Sequence, residues 1–225
     1  MKILCIDTSS NICSVALLED TNLIKELVIS DSKTHSENLM PLVKELLDET
    51  RISLNEINLI ACDNGPGSFT GIRIGIATIK AFSEVYNIPV IGISSLECLA
   101  YNSSSETICS LIDAKNNQVY CGIFNSDYSL LEDYIADDIN TVISHISKYS
   151  NVEFVGDGST IHKELLVNSF PTSTFCTDNA QHATNLGKCA FIKYSLGKKL
   201  DSADTILPMY LRKSQAERMK KNPNE

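Results

Sequence analysis

Apolar and polar positions change period several times along this chain, and those changes divide it into elements. Residues 2–7 (KILCID), 12–18 (ICSVALL) and 23–29 (LIKELVI) read as three short β-rich strands, with Asp20-Thr21-Asn22 turning between the last two. From His35 to Arg51 the period becomes helical. Leu39, Leu42, Val43, Leu46 and Leu47 share one stripe, with Lys44, Glu45, Asp48 and Glu49 largely opposite. INLIAC (57–62) predicts a fourth strand that runs into the Gly-rich DNGPGSFTG. A long helix to about Tyr86 follows, then a strand from Pro89 to Ile93 and a short helix from a Ser95 cap through Tyr101.

After the polar break Asn102-Ser103-Ser104-Ser105 the pattern starts again. ICSLID (108–113) and QVYCGIF (118–124) resemble the opening hairpin, with Asp113 standing where Asp7 stood. Helical stretches near 139–149, 159–168 and 180–197 alternate with a strand at 152–156. Strands first, then αβ alternation, occurring twice, predict an α/β protein of two halves that share a topology, residues 1–104 and 105–225.

The helix after the Gly-rich segment has an unusual distribution. Arg73, Lys80 and Glu84 occupy one narrow stripe; Ile72, Ile76, Ile79 and Phe82 lie to one side, and Ile74, Ala77, Ala81 and Val85 fill most of the rest. A helix on one sheet needs a single apolar face, so something covers the second side of this one. Leaving three or four large side chains in water would forgo about 2 kcal/mol each. Either the preceding helix or another protein chain provides the cover, and Met40 widens the available surface.

Composition narrows the classes. Of the 225 residues 43% are hydrophobic and 21% charged, which is ordinary for a globular protein, and no apolar run is long enough for a membrane span. The first apolar stretch is too short for a signal sequence, so the expected compartment is the cytoplasm. Eight scattered cysteines without a C-x-x-C pair, mostly inside apolar runs, read as buried reduced thiols. The net charge is −9. Arg212, Lys213, Arg218, Lys220 and Lys221 lie in the tail against Glu217 and Glu225, leaving 14 of the 19 basic and 26 of the 28 acidic residues, or −12, in the body. A body that acidic repels phosphate backbones and is a poor candidate for gripping nucleic acid alone. His35, His145, His162 and His182 stand apart, with no metal-ligand spacing and no nucleophile elbow.

Two kinds of segment carry candidate chemistry. Asp7 ends a strand and is followed by Thr8, Ser9 and Ser10, whose hydroxyls and N–H groups suit a phosphate; Asp113 and Lys115 repeat the arrangement. The same residues also make turns by bonding their own backbone. Gly65-Pro66-Gly67-Ser68-Phe69-Thr70-Gly71 leads into a helix N-terminus, where free N–H groups favour an anion. It fits neither the dinucleotide fingerprint nor the Walker A spacing, and the alternative is a tight turn that lets the helix pack closely on the sheet, with Ser68 as cap.

The segments ILCIDTSSNICSVALL, HSENLMPLVKELL, GPGSFTGIRIGIATIKAF, IPVIGISSLECLA, LIDAKNNQVYCGIF, VGDGS and LPMYLR together resemble the TsaB (YeaZ-like) family of the bacterial tRNA threonylcarbamoyladenosine system. The resemblance covers most of residues 1–212 and is loose over 159–200. It implies the actin-like ATPase fold, with two halves of RNase-H-like topology. It also implies dimerisation through helices of the first half. Carried onto this chain, that interface runs over Leu39, Met40, Val43 and Leu47 of one helix and Ile72, Ile76, Ile79 and Phe82 of the next, so Ile76→Arg or Ile72→Glu is expected to abolish pairing with the fold intact. The implied partners are the catalytic paralogue (TsaD-type) as heterodimer, a small ATPase (TsaE-type) and a second copy when alone, with tRNA reached only through the complex.

The catalytic paralogue carries a metal-binding His-x-x-x-His. Its Asn-His-x-Glu-Gly-His aligns with Ser94-Ser95-Leu96-Glu97-Cys98-Leu99, which puts Ser95 and Leu99 at the histidine positions. The resemblance therefore implies a non-catalytic, activating subunit with no required cofactor and no metal. Its complex places threonylcarbamoyl on the adenosine next to the anticodon in tRNAs reading codons that start with A. Asp7, Thr8, Ser9, Asp113, Gly156, Asp157 and Gly158 are implied as vestigial nucleotide contacts with weak ATP or ADP binding. Two rivals stand beside this reading: an independent actin-like ATPase or small-molecule kinase using Asp7 and Asp113, and a metal-dependent hydrolase.

Overall fold

The computed structural model describes residues 1–30 and 34–212, so the basic tail from Lys213 onward lies outside the described residues. Five strands form the first sheet: β1 (Lys2–Asp7), β2 (Cys13–Glu19), β3 (Asn22–Ile29), β4 (Leu59–Gly65) and β5 (Val90–Ser94), in the order β3-β2-β1-β4-β5. The first three pair antiparallel as a meander, and β4 and β5 add parallel to β1. The second sheet repeats this plan with β6 (Thr107–Asp113), β7 (Gln118–Asn125), β8 (Ile135–Asp138), β9 (Val152–Val155) and β10 (Thr174–Phe175), in the order β10-β9-β6-β7-β8. The shared topology of the two halves is therefore real, including two short strands, β8 and β10, that the sequence pattern does not announce. At four and two residues they are too short to show an alternation.

Helices α1 (His35–Thr50) and α2 (Phe69–Tyr86) cover the outer face of the first sheet. Alternation decides which strand residues they meet: Leu4, Ile6, Val15, Leu17, Ile60 and Cys62 face α1 and α2. Ile3, Cys5, Ala16, Leu18, Leu59 and Ala61 face the other way, toward α7 (Ala183–Ser195). The short α3 (Ser95–Ala100) sits between the halves. Its Cys98 joins the core under the first sheet, and its Leu96, Leu99 and Ala100 pack on Ile108, Ile112 and Phe124 of the second. The far face of the second sheet is covered by α4 (Ile139–Ile146) and α6 (Lys163–Ser169) through Val142, Ile146 and Leu166, with α5 (Asp157–Ile161) just before α6. Residues before 105 thus supply the first sheet and residues after it the second, but α7 and Ile206 return to pack on the first.

Several local expectations change. Ser94, not Ser95, caps α3, accepting from the Leu96 N–H. The helix expected over 159–168 is two helices that meet at His162. The larger correction concerns α2. Ile72, Ile76, Ile79 and Phe82, with Leu39 and Val43 of α1, are buried in one cluster with the first sheet, and Leu47 packs half-buried against it. These residues belong to the chain's own core because α1 lies alongside α2 and fills the wedge above the sheet. Of the expected interface only Met40, 50% exposed, faces solvent freely. Ile76→Arg and Ile72→Glu would therefore attack the fold rather than a surface.

The eight cysteines are all free, seven of them buried, as the sequence pattern suggested. Among the described residues no helix is long and apolar enough to cross a membrane.

Candidate functional site

The carboxyl ends of β1 and β6 point toward each other across a cleft of about 780 Å³. Its first wall is the β1–β2 turn, with Ser9, Ser10 and Asn11, together with His35 at the start of α1. The second wall carries Asp113 and Lys115 from the β6–β7 turn and Asp157 from the N-terminus of α5. Asn179 and Gln181 come from the loop before α7, and Leu99 and Ile112 supply apolar lining.

Of the seven residues expected to contact nucleotide, Ser9, Asp113 and Asp157 line this cleft. Asp7 and Thr8 lie behind it, buried to 1% exposure. The Asp7 Oδ1 accepts from both the backbone N–H and the hydroxyl of Ser9, at 2.8 Å each, so this aspartate holds its own turn. Ser9 Oγ also lies 3.1 Å from the Gln181 side-chain oxygen. His35 is anchored through Nε2 to the Ser10 carbonyl at 2.8 Å.

The glycines act in packing. A Cβ on Gly67 would stand 2.3 Å from the Ser9 carbonyl oxygen, and one on Gly71 1.9 Å from that of Thr8. Side chains at these places would push the α2 N-terminus off the β1–β2 turn. Two of the N–H groups there are already used: Ser68 donates to the Ser9 carbonyl at 2.6 Å, and Gly71 donates to the Ser68 hydroxyl at 3.2 Å. Of the two readings of the Gly-rich segment, the structure favours the tight turn with Ser68 as cap. Gly156 and Gly158 do the same in the second half. Both lie against Leu111, and the Gly156 N–H is taken by Asn179 Oδ1 at 2.8 Å.

The second-half carboxylates are differently placed. Asp113 accepts from the Lys115 ammonium at 2.8 Å and the Lys115 N–H at 3.1 Å, while its own N–H donates to Asp157 Oδ1 at 3.0 Å. Lys115 is 82% exposed and Asp113 only 8%. Burial raises the affinity of Asp157 for a proton, opposed by the Asp113 N–H.

Sequence reasoning missed Asp63. It is wholly buried in β4, one step beyond the register pair Ile6 and Cys62, and therefore beside Asp7. Its Oδ1 accepts from the Gly65 N–H at 2.7 Å and from the Ser95 hydroxyl at 2.6 Å. The signal was available: LIACD is a second apolar strand ending in aspartate beside ILCID. Ser95 and Leu99 are both buried, the first bound to Asp63 and the second packed in the core between the halves.

Comparison with known proteins places these features. The family model of tRNA N6-adenosine threonylcarbamoyltransferases, TsaD, matches residues 23–219. A Bacillus subtilis protein named tRNA threonylcarbamoyladenosine biosynthesis protein TsaB is 33% identical over 96% of both chains. Its Haemophilus influenzae namesake is 29% identical over 94% of both. A Pseudomonas aeruginosa crystal structure, described as similar to peptidase YeaZ, superposes with a TM-score of 0.81 at 27% identity, covering 94% of this chain and 99% of that one. An activator of 2-hydroxyisocaproyl-CoA dehydratase from Clostridium difficile, with bound ADPNP, shares the fold alone. It has a TM-score of 0.51 at 14% identity and covers 88% of this chain and 97% of that one.

Proposed function

This chain belongs to the TsaB family of tRNA threonylcarbamoyladenosine biosynthesis proteins, and we propose that within that pathway it acts as a non-catalytic scaffold that activates a TsaD-type paralogue by pairing with it. The observation that carries the reading is the state of Ser95 and Leu99. The positions that align with the paralogue's two histidines hold a buried hydroxyl spent on Asp63 and a buried hydrocarbon. Neither offers a donor atom to the cleft.

The docking surface is redrawn by the packing of α2. With Ile72, Ile76 and Ile79 turned inward, the outward apolar stripe is Ile74, Ala77, Ala81 and Val85, spaced at helical intervals, and Val85 is 74% exposed. Met40 of α1 adds to it, and Phe69 and Tyr210 stack at 4.9 Å beside Arg73 at the amino end of α2. Small residues in mid-helix let a partner helix approach closely. The heterodimer uses this face, a second copy occupies it when the paralogue is absent, and a TsaE-type ATPase joins the assembled pair in the cytoplasm. tRNA is gripped by the complex, since this chain's charge repels phosphate.

No cofactor is required for this role. The cleft admits an adenine nucleotide weakly, because the N–H groups of Ser68, Gly71 and Gly156 are already bonded within the chain.

Light scattering on this chain, alone and mixed with the paralogue, tests the proposal. The expected result is a homodimer that converts into a one-to-one heterodimer. Val85→Glu, on the solvent side of α2, is expected to weaken both species while leaving the melting temperature near native. A strict monomer that ignores the paralogue would sink the scaffold reading and direct attention to ATP turnover.

A further inference from the structure

Asp7 and Asp63 occupy the carboxyl ends of adjacent parallel strands, one residue beyond the register pair Ile6–Cys62. Parity along β1 and β4 turns both side chains to the face covered by α3 and α7, the face of Cys5 and Ala61. Neighbouring strands are about 4.8 Å apart, so the two carboxyl groups are close together. Both residues are sealed from solvent, at 1% and 0% exposure. Each uses one oxygen fully, Asp7 Oδ1 with Ser9 and Asp63 Oδ1 with Gly65 and Ser95. The other oxygen of each, Oδ2, is buried and meets no donor.

Of the surrounding groups named by the electrostatics of Asp7, His35 alone can carry a positive charge, and that charge favours the ionised form of one carboxyl, not of two. From α1 comes His35, whose ring is held by the Ser10 carbonyl; from β3 comes Glu26, itself acidic. Cys5, Cys62 and Cys98 present buried thiols whose proton affinity is raised by burial. The remaining neighbours are the hydroxyls of Ser9 and Ser95. Two ionised carboxylates side by side in such a place repel each other and lose their hydration without return. We infer that Asp7 and Asp63 share a single proton at neutral pH, a buried acid pair that bridges the ends of β1 and β4 through their free Oδ2 atoms. Consistent with this, burial first and the Asp7 charge second push the Asp63 carboxyl well above the ordinary range, and burial pushes Asp7 up despite the Ser9 bonds.

The consequence is a turn that is tied down rather than poised for a ligand. The shared proton joins the Ser9 turn to the Gly65 turn, and the pair carries one charge instead of two. The sign of its pH dependence follows. The folded pair keeps a proton that the unfolded chain releases above the ordinary aspartate range, so its stabilising contribution is lost as pH rises toward the raised folded value.

The test is the melting temperature of the full chain and of Asp63→Asn across ~pH 5 to 9. In Asp63→Asn the amide stands where the shared proton was and donates to Asp7 Oδ2. The native melting temperature is expected to fall relative to the variant by about 3–5 °C per pH unit through the titration. Parallel curves for the two proteins would overturn the inference. A native melting temperature raised by magnesium chloride, with the gain lost in Asp7→Asn, would overturn it too by putting a cation where the proton is placed. Should Asp63→Asn fail to fold, carboxyl-carbon NMR of the native chain decides. One aspartate still in its protonated position at neutral pH is expected, and a full set of ionised carboxylates would refute the pair.

Discussion

The two sheets repeat one strand order, yet their carboxyl ends face the same cleft in opposite conditions. In the first half Asp7 and Asp63 are sealed, and the α2 N-terminus presses so closely on the β1–β2 turn that Gly67 and Gly71 have no room for a Cβ. In the second half Asp113 and Asp157 line the cleft, and Lys115 reaches over them from solvent. One topology thus seals its acidic groups behind the cleft on one side and sets them along the cleft wall on the other. A duplicated fold positions strand ends; it is the packing behind them that decides whether they keep a carboxylate in the core or offer it to a ligand. The first half has committed its strand ends to structure, which agrees with a subunit that works through its surface.

The sharpest way to break this contrast is to add a single carbon to each helix start. Gly71→Ala puts a methyl group 1.9 Å from the Thr8 carbonyl, a backbone atom that cannot swing away. A loss of about 3 kcal/mol or more is expected, read as a lower denaturation midpoint in urea. Gly158→Ala, at the start of α5, meets Leu111 at 2.9 Å and is expected to cost less, about 1–2 kcal/mol. Equal losses would mean that the second half is packed as tightly as the first. Ser95→Ala comes next in size. It removes the 2.6 Å hydrogen bond to the buried Asp63, and a loss of about 1–2 kcal/mol in the same measurement is expected.

Much of this was legible before any coordinates. The helices α1, α2 and α7 and eight of the ten strands follow from apolar periodicity, the duplication follows from ILCID and LIDAK, and Ser68 behaves as the cap its position suggests. What stayed hidden depends on neighbours. A helical projection finds the apolar sides of α2 but cannot say that α1 lies in the wedge and takes up Ile72, Ile76 and Phe82. Asp63 shows in the sequence only as the aspartate ending a second apolar strand, because its partner is one strand away in space and 56 residues away in sequence. Asn179 and Gln181 lie in a loop with no periodicity, and only the return of α7 to the first sheet carries them to the cleft.

The smallest expected effect belongs to Lys115, and it bears most directly on the contrast. Its ammonium sits 2.8 Å from Asp113, a distance that elsewhere would mark a stabilising ion pair. The lysine is 82% exposed, however, and a pair that open is weakened by water, by salt and by the side-chain entropy lost in holding it. Asp113 also keeps the Lys115 backbone N–H when the side chain is removed. Lys115→Ala is therefore expected to leave the melting temperature unchanged within error at low and high salt alike. The same variant removes a basic side chain lining the cleft, so the weak ADP binding proposed above, measured by calorimetry, is expected to fall. A drop in melting temperature as large as that of Ser95→Ala would show the second-half strand ends to be as structural as the first, and the contrast between a sealed and an open half would fail.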